Sequence, residues 1–185
     1  MLIQKIIENV KAYHKGEWEG KKIDEATTRD KILYGNPQQE CSGVVTTCWA
    51  SVEVIKKAAE LGANLIIAHE ALFWNHGDHT DWLIKEQNHT FIEKKKLLDA
   101  YGIVVWRDHD YIHSGIPMKD GSYTDGIFYG VAEKLGWTDY IRKDIHNPLY
   151  FEIPKTTVGE LADFLVQRLQ LNGIKIIGNL HSAVK

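Results

Sequence analysis

His69 and Glu70 stand at the end of an uninterrupted apolar run, Leu65-Ile66-Ile67-Ala68. A second set of ligand-type side chains, Asp108, His109, Asp110 and His113, follows another apolar run, Ile103 to Trp106. Between them, ALFWNHGDHTDW adds His76, Asp78, His79 and Asp81. Neutral imidazole together with carboxylate suits zinc, iron, manganese, nickel or cobalt, and the mixture does not choose among them. A divalent ion brings the pKa of water bound to it towards neutrality, and two ions about 4 Å apart can hold both the attacking and the leaving oxygen of a hydrolytic step.

Other chemistry-bearing residues have simpler readings. His76, His79, His89 and His146 lie in polar surroundings, Asp78 reads as a turn residue, Asp81 as a helix N-cap, and Asp108 as a partner for loop backbone. A strand-end histidine such as His69 can also be satisfied by main chain, and it is the second cluster that favours a metal. Cys41 and Cys48 read as small buried apolar residues, because their spacing does not suit a zinc knuckle. Phe73, Trp74 and Trp82 fit either a substrate-stacking wall or a lid. The chain has no G-x-G-x-x-G, Walker A or G-x-S-x-G segment, so phosphate-loop and serine-nucleophile chemistry lose support.

The elements that must position these residues follow from periodicity. A first helix, about Leu2 to His14, sets Ile3, Ile6, Ile7 and Val10 on one side. A polar, turn-rich stretch runs from Lys15 to Gln39. Gly43 to Thr47 is a β-branched strand, and Ser51 caps a helix to Leu61 that Gly62 ends, being free to adopt positive φ. The run 65–68, lacking alternation, is a strand buried on both faces, as in a parallel sheet covered by helices. Asp81 to Ala100 reads as one long helix, Ile103 to Trp106 as the next buried strand, and Thr124 to Leu135 as another helix. This strand-helix order is the βαβ signature, in which ligands collect beyond the carboxyl ends of strands only about 5 Å apart. The expected class is therefore α/β, a mostly parallel sheet covered by helices. Residues 1–138 form the main metal-binding domain, and 139–185 hold a small β-α-β lobe and the start of a return to the main domain. That lobe is read from alternation over Pro148 to Ile153, a helix from Val158 to Leu171 and a strand Ile174 to Ile177.

With 185 residues the chain can bury one core, and a formal charge of −3 from 22 basic and 25 acidic residues creates no large field. The longest basic run, Lys94 to Lys96, gives no strong nucleic-acid signal. Two cysteines, no signal-like N-terminus and no apolar stretch near the ~20 residues of a membrane span indicate a cytoplasmic protein off the membrane.

The segments AAELGANLIIAHEALFW and VVWRDHDYIH resemble the NGG-one-interacting-factor-three-like family, also known as dinuclear-metal-centre hexameric proteins or GTP cyclohydrolase I type 2-like proteins. Glu60-Leu61-Gly62-Ala63-Asn64-Leu65 matches the family's lead-in, His69 its first histidine, and His109 the histidine of its second motif. Glu70 stands where many members have a second histidine, and His113 where many have a bridging aspartate; Asp110 is the alternative carboxylate. The usual D-N-x-G-L segment is replaced by IDEATTRDKILYGNP. The family's further His and Glu ligands belong to a segment beyond the small lobe, so the resemblance is to a member without that segment. It implies one or two divalent ions held by His69, Glu70, His109, Asp110 and His113. It also implies a homo-hexameric ring, and either a metal-dependent hydrolase acting on a small or nucleotide-like substrate or a non-catalytic interaction or metal-handling protein.

Overall fold

The computed structural model describes residues 1–75, 77–142 and 150–184. His76, His146 and the first two residues of the alternating stretch 148–153 lie outside the described residues. The chain divides into two compact units, Met1–Tyr123 and Thr124–Lys185. This division falls before the helix Gly126–Leu135 rather than at residue 138, because that helix packs on the helix Val158–Leu169 of the second unit.

The first unit begins with α1 (Ile3–Tyr13), followed by a short hairpin of β1 (Glu17–Trp18) and β2 (Lys21–Lys22). Its centre is a four-stranded sheet of β3 (Ile32–Tyr34), β4 (Val44–Thr47), β5 (Leu65–Ala68) and β6 (Val104–Arg107), in the order β3-β6-β5-β4. β4, β5 and β6 are parallel and in register, Val44 facing Leu65 and Leu65 facing Val104, as the βαβ pattern requires. β3 is antiparallel to β6, with Ile32 opposite Trp106. The polar stretch that contains it reads from sequence as a loop, because a three-residue strand is too short to show a period.

Helices cover both faces. α2 (Val52–Glu60) starts at Ser51, whose side chain accepts the Val54 N–H, and Gly62 follows with φ +69°. α2 and α4 (His89–Tyr101) set Ile55, Ala58 and Leu98 against Ile66, Ala68 and Val105. On the other face α1 sets Ile3 and Ile7 against Leu65, Val104 and Trp106. Alternate residues of β5 and β6 thus enter opposite cores, which is why β5 and the first three residues of β6 are apolar. Cys41 packs against the α1 core, whereas Cys48 is exposed rather than buried.

The helix expected over 81–100 is two: α3 (Asp81–Lys85), then a break at Gln87 with φ +47°, then α4, whose N-cap Asn88 accepts the Phe91 N–H. An asparagine that can satisfy an orphan helical N–H starts a new helix more readily than it continues an old one. Asp81 is the first helical residue after Thr80, and no side chain caps α3. After β6 come α5 (Asp110–Ser114) and a ribbon of β7 (Ile116–Pro117) and β8 (Tyr123–Thr124).

In the second unit, Asp125 caps α6 (Gly126–Leu135) by accepting the N–H groups of Ile127 and Phe128. β9 (Thr156–Thr157) leads into α7 (Val158–Leu169) through a capping box of Thr157 and Glu160. Trp137 stacks on Phe164 at 5.6 Å. The returning strand is β10 (Ala183–Val184), antiparallel to β9, and not the apolar run 174–177. Ile177 in that run is 89% exposed, so its apolar character reflects no packed partner.

Candidate metal centre

The parallel ladder delivers the first two histidines to one edge. Beyond β5 the His69 N–H still donates to Thr47 O at 3.1 Å, and beyond β6 the Asp108 N–H donates to Ala68 O at 2.9 Å. The two strands therefore end level, and the rings of His69 and His109 stack at 4.6 Å with 5° between their planes. α5 opens immediately after His109 and carries His113 one turn on, its N–H donating to His109 O at 3.2 Å. The His113 ring stands edge-on to both others, 4.9 Å from His69 and 5.1 Å from His109. The three half-buried imidazoles each offer a ligand nitrogen, all within 4.8 Å of one another.

Hydrogen bonds at the far side of two rings assign their protons. His69 Nδ1 lies 3.1 Å from Asp108 O, and a carbonyl only accepts, so Nδ1 carries the hydrogen and the Nε2 lone pair remains for a ligand. His109 Nδ1 donates in the same way to Asp110 Oδ1 at 3.1 Å. This is the outer-partner arrangement typical of metal-binding histidine. Burial, reinforced by the neighbouring His69 and His113, pushes the His109 imidazole below its ordinary value against the pull of Asp110. The ring is thereby kept in the neutral form that binds metal.

The carboxylates stand outside this group. Asp110 Oδ2 accepts the Arg29 N–H at 2.8 Å and the Thr28 hydroxyl at 3.0 Å, while Oδ1 takes the Arg29 guanidinium at 3.2 Å as well as His109. It thus serves as the partner that orients His109. The Glu70 N–H donates to Cys48 O, and after burial its charge is what pushes the Cys48 thiol up. Asp108 does not bind loop backbone through its carboxylate, which is instead buried against His14. Asp78 is the turn residue expected, with φ +46°, and its carboxylate gathers the N–H groups of Leu72, Phe73 and Trp74 at 2.7 to 3.2 Å. Phe73 packs on Phe91 at 4.8 Å, and exposed Trp74 meets Trp82 edge-on at 5.1 Å. His89 is solvent-facing at the start of α4, and neither it nor His79 joins the cluster.

One supporting group had no visible signal in the sequence. Buried Asp30 accepts the N–H groups of His109 at 2.7 Å, Asp110 at 2.8 Å and Tyr111 at 3.4 Å, together with the Thr28 hydroxyl at 2.6 Å. It satisfies the orphan donors at the start of α5 from 79 residues away in the chain. Burial raises its carboxyl against these hydrogen bonds, and the nearby Asp108 adds to the rise.

A mostly parallel α/β sheet with three converging imidazoles at its carboxyl edge defines the class: an α/β protein with a candidate metal centre. Residues 22–101 match the model of the Duf34/NIF3 family, NGG1p interacting factor 3. No curated protein matches the chain in sequence. Among solved structures, the fold is similar to a Bacillus cereus protein related to NIF3, with a TM-score of 0.66, 14% identity, and 100% of this chain and 74% of that one covered. It is also similar to the protein ybgI, of unknown function, with a TM-score of 0.64, 19% identity, and 92% of this chain and 61% of that one covered. A Thermus thermophilus protein has a TM-score of 0.57 at 18% identity, with 90% and 61% covered. The family match over 22–101 and the shared fold both support a likeness to the NIF3-like family. It spans 61% of the length of ybgI and of the Thermus protein.

Proposed function

We propose that the protein binds a divalent metal ion through His69, His109 and His113 and is a metal-dependent hydrolase of a small or nucleotide-like substrate. The observation that carries the first part is the convergence of three ligand nitrogens within 4.8 Å, two of them with their protons turned outward onto Asp108 O and Asp110 Oδ1. The donor set fits: three neutral imidazoles make a complete protein ligand set for an ion such as zinc that keeps a further position open. A divalent ion held there supplies Lewis acidity, polarising a substrate oxygen and acidifying water. The chain's own contribution is to keep His109 neutral by burial, to aim His69 and His109, and to set His113 opposite them on α5. Glu70 and Asp110 belong to the wider ligand set that the family resemblance suggests, as does a second ion.

Elemental analysis of protein purified without added metal tests the binding. The expected result is stoichiometric metal in the native chain and its loss in His113→Ala; a native protein that is empty and cannot be loaded would contradict it. Hydrolysis of a panel of phosphoesters, cyclic nucleotides and GTP by the loaded protein tests the activity, and tight binding without turnover would instead support a metal-handling role. The homo-hexameric ring suggested by the resemblance is tested by light scattering, where a monomer would contradict it. Among the described residues no helix is long and apolar enough to cross a membrane.

A further inference from the structure

His14, just past the end of α1, has its Nε2–H donating to Asp108 Oδ2 at 3.0 Å, with the two side chains only 4% and 7% exposed. Neither His14 Nδ1 nor Asp108 Oδ1 has another hydrogen-bond partner among the described residues, so each side chain depends on the other for its buried bond. A pair of this kind is kept in a core only where the whole geometry holds it, since loss of either member strands the other.

The position of the pair gives it a use. Asp108 is the residue whose carbonyl accepts the His69 Nδ1–H, and it directly precedes His109. The residues after His14 grip the other end of the same segment: the Lys15 N–H donates to Gly115 O at 2.8 Å and the Gly16 N–H to Ser114 Oγ at 2.9 Å. Residues 14–16 therefore hold both ends of 108–115, the stretch that contains His109 and His113 and orients His69.

We infer that His14 is a positioning residue for the metal centre, fixing Asp108 so that its carbonyl holds the His69 ring in the tautomer that presents Nε2 to the ion. The inference rests on the metal-binding reading of the three histidines. His14 touches none of the ligand nitrogens itself, and its effect passes through Asp108.

The test compares wild type with His14→Gln, which keeps an N–H donor near the Nε2 position, and His14→Leu, which keeps bulk and removes the donor. Cobalt(II) is the probe, because its visible spectrum reports the geometry of its ligands. His14→Gln is expected to stay near wild-type affinity, whereas His14→Leu weakens cobalt binding by about 10–100-fold, the range for losing an outer partner, with a shifted visible band. In the metal-free proteins, long-range 1H–15N NMR is expected to show His69 as the Nδ1–H tautomer in wild type and His14→Gln, and as a tautomer mixture in His14→Leu. Unchanged affinity and spectrum in His14→Leu would overturn the inference and leave metal binding intact. A wild type that takes up no cobalt overturns the metal reading instead, and the NMR comparison then decides the inference alone: an unchanged His69 tautomer in His14→Leu refutes it. Should His14→Leu not fold, His14→Asn, whose shorter amide misplaces the donor, replaces it in both measurements.

Discussion

At the scale of single residues the site is a problem of proton placement. Three imidazoles near one another repel when charged and bind a cation when neutral, and burial of His109 favours the neutral state. Replacing His69 or His109 by alanine should therefore weaken metal binding beyond the roughly 10–100-fold cost of disturbing an outer partner, as measured by competition with a chromophoric chelator. Asp110 supplies a pH signature. Burial raises its carboxyl, but the Arg29 N–H, the Thr28 hydroxyl, His109 and the Arg29 guanidinium together prevail and hold it below the usual carboxylate range. The unfolded chain then binds this proton more tightly than the folded one. The stability contributed by Asp110 is complete above about pH 4, its unfolded range, and is lost as pH falls through the folded value. Urea midpoints of wild type should decline over that acid interval more steeply than those of Asp110→Asn, and equal slopes would refute the assignment.

At the scale of elements, the ligands are held by the ends of secondary structures. Asp30 sits below α5 and satisfies its first N–H groups, so Asp30→Ala leaves at least two partly buried donors without acceptors. At about 1–3 kcal/mol for each stranded group, a loss of at least about 2 kcal/mol is expected in urea denaturation, with weaker metal binding in parallel. β3 depends on a close approach at its end. Gly35 has φ +84°, and a Cβ there would lie 2.9 Å from Ile103 O and 3.0 Å from Val104 Cα. Gly35→Ala combines a left-handed backbone penalty of about 1–2 kcal/mol with a clash against backbone that cannot swing aside. Its thermal midpoint should fall clearly, while Gly20→Ala, where the added Cβ meets nothing within 4 Å, suffers only the backbone penalty.

At the scale of the whole molecule, stability within the first unit is concentrated in β5 and β6. Leu65, Ile66, Ala68, Val104 and Val105 are fully buried between the α1 core on one face and the α2–α4 core on the other. Native-state hydrogen exchange should find the slowest amides of this unit in these strands and fast exchange in the β1–β2 hairpin, whose residues pair only with each other. Comparable protection in both would contradict the layered core.

The sequence by itself determined much of this. Apolar runs without alternation specified β5 and β6 as doubly covered, Ser51 marked the start of α2, and the histidines at two strand ends were visible as candidate ligands. Each of these signals is local, carried by neighbours within a turn or a strand. Tertiary structure alone decided that His69, His109 and His113 converge while Asp110 turns to Thr28 and Arg29. It also placed Asp30 and His14 behind the site through hydrogen bonds spanning 79 and 94 residues. The split between α3 and α4, the antiparallel edge strand β3 and the pairing of Ala183–Val184 instead of 174–177 belong to the same class. Strand partners and buried polar pairs are chosen by what lies opposite in space, and short segments carry no periodicity that could announce it.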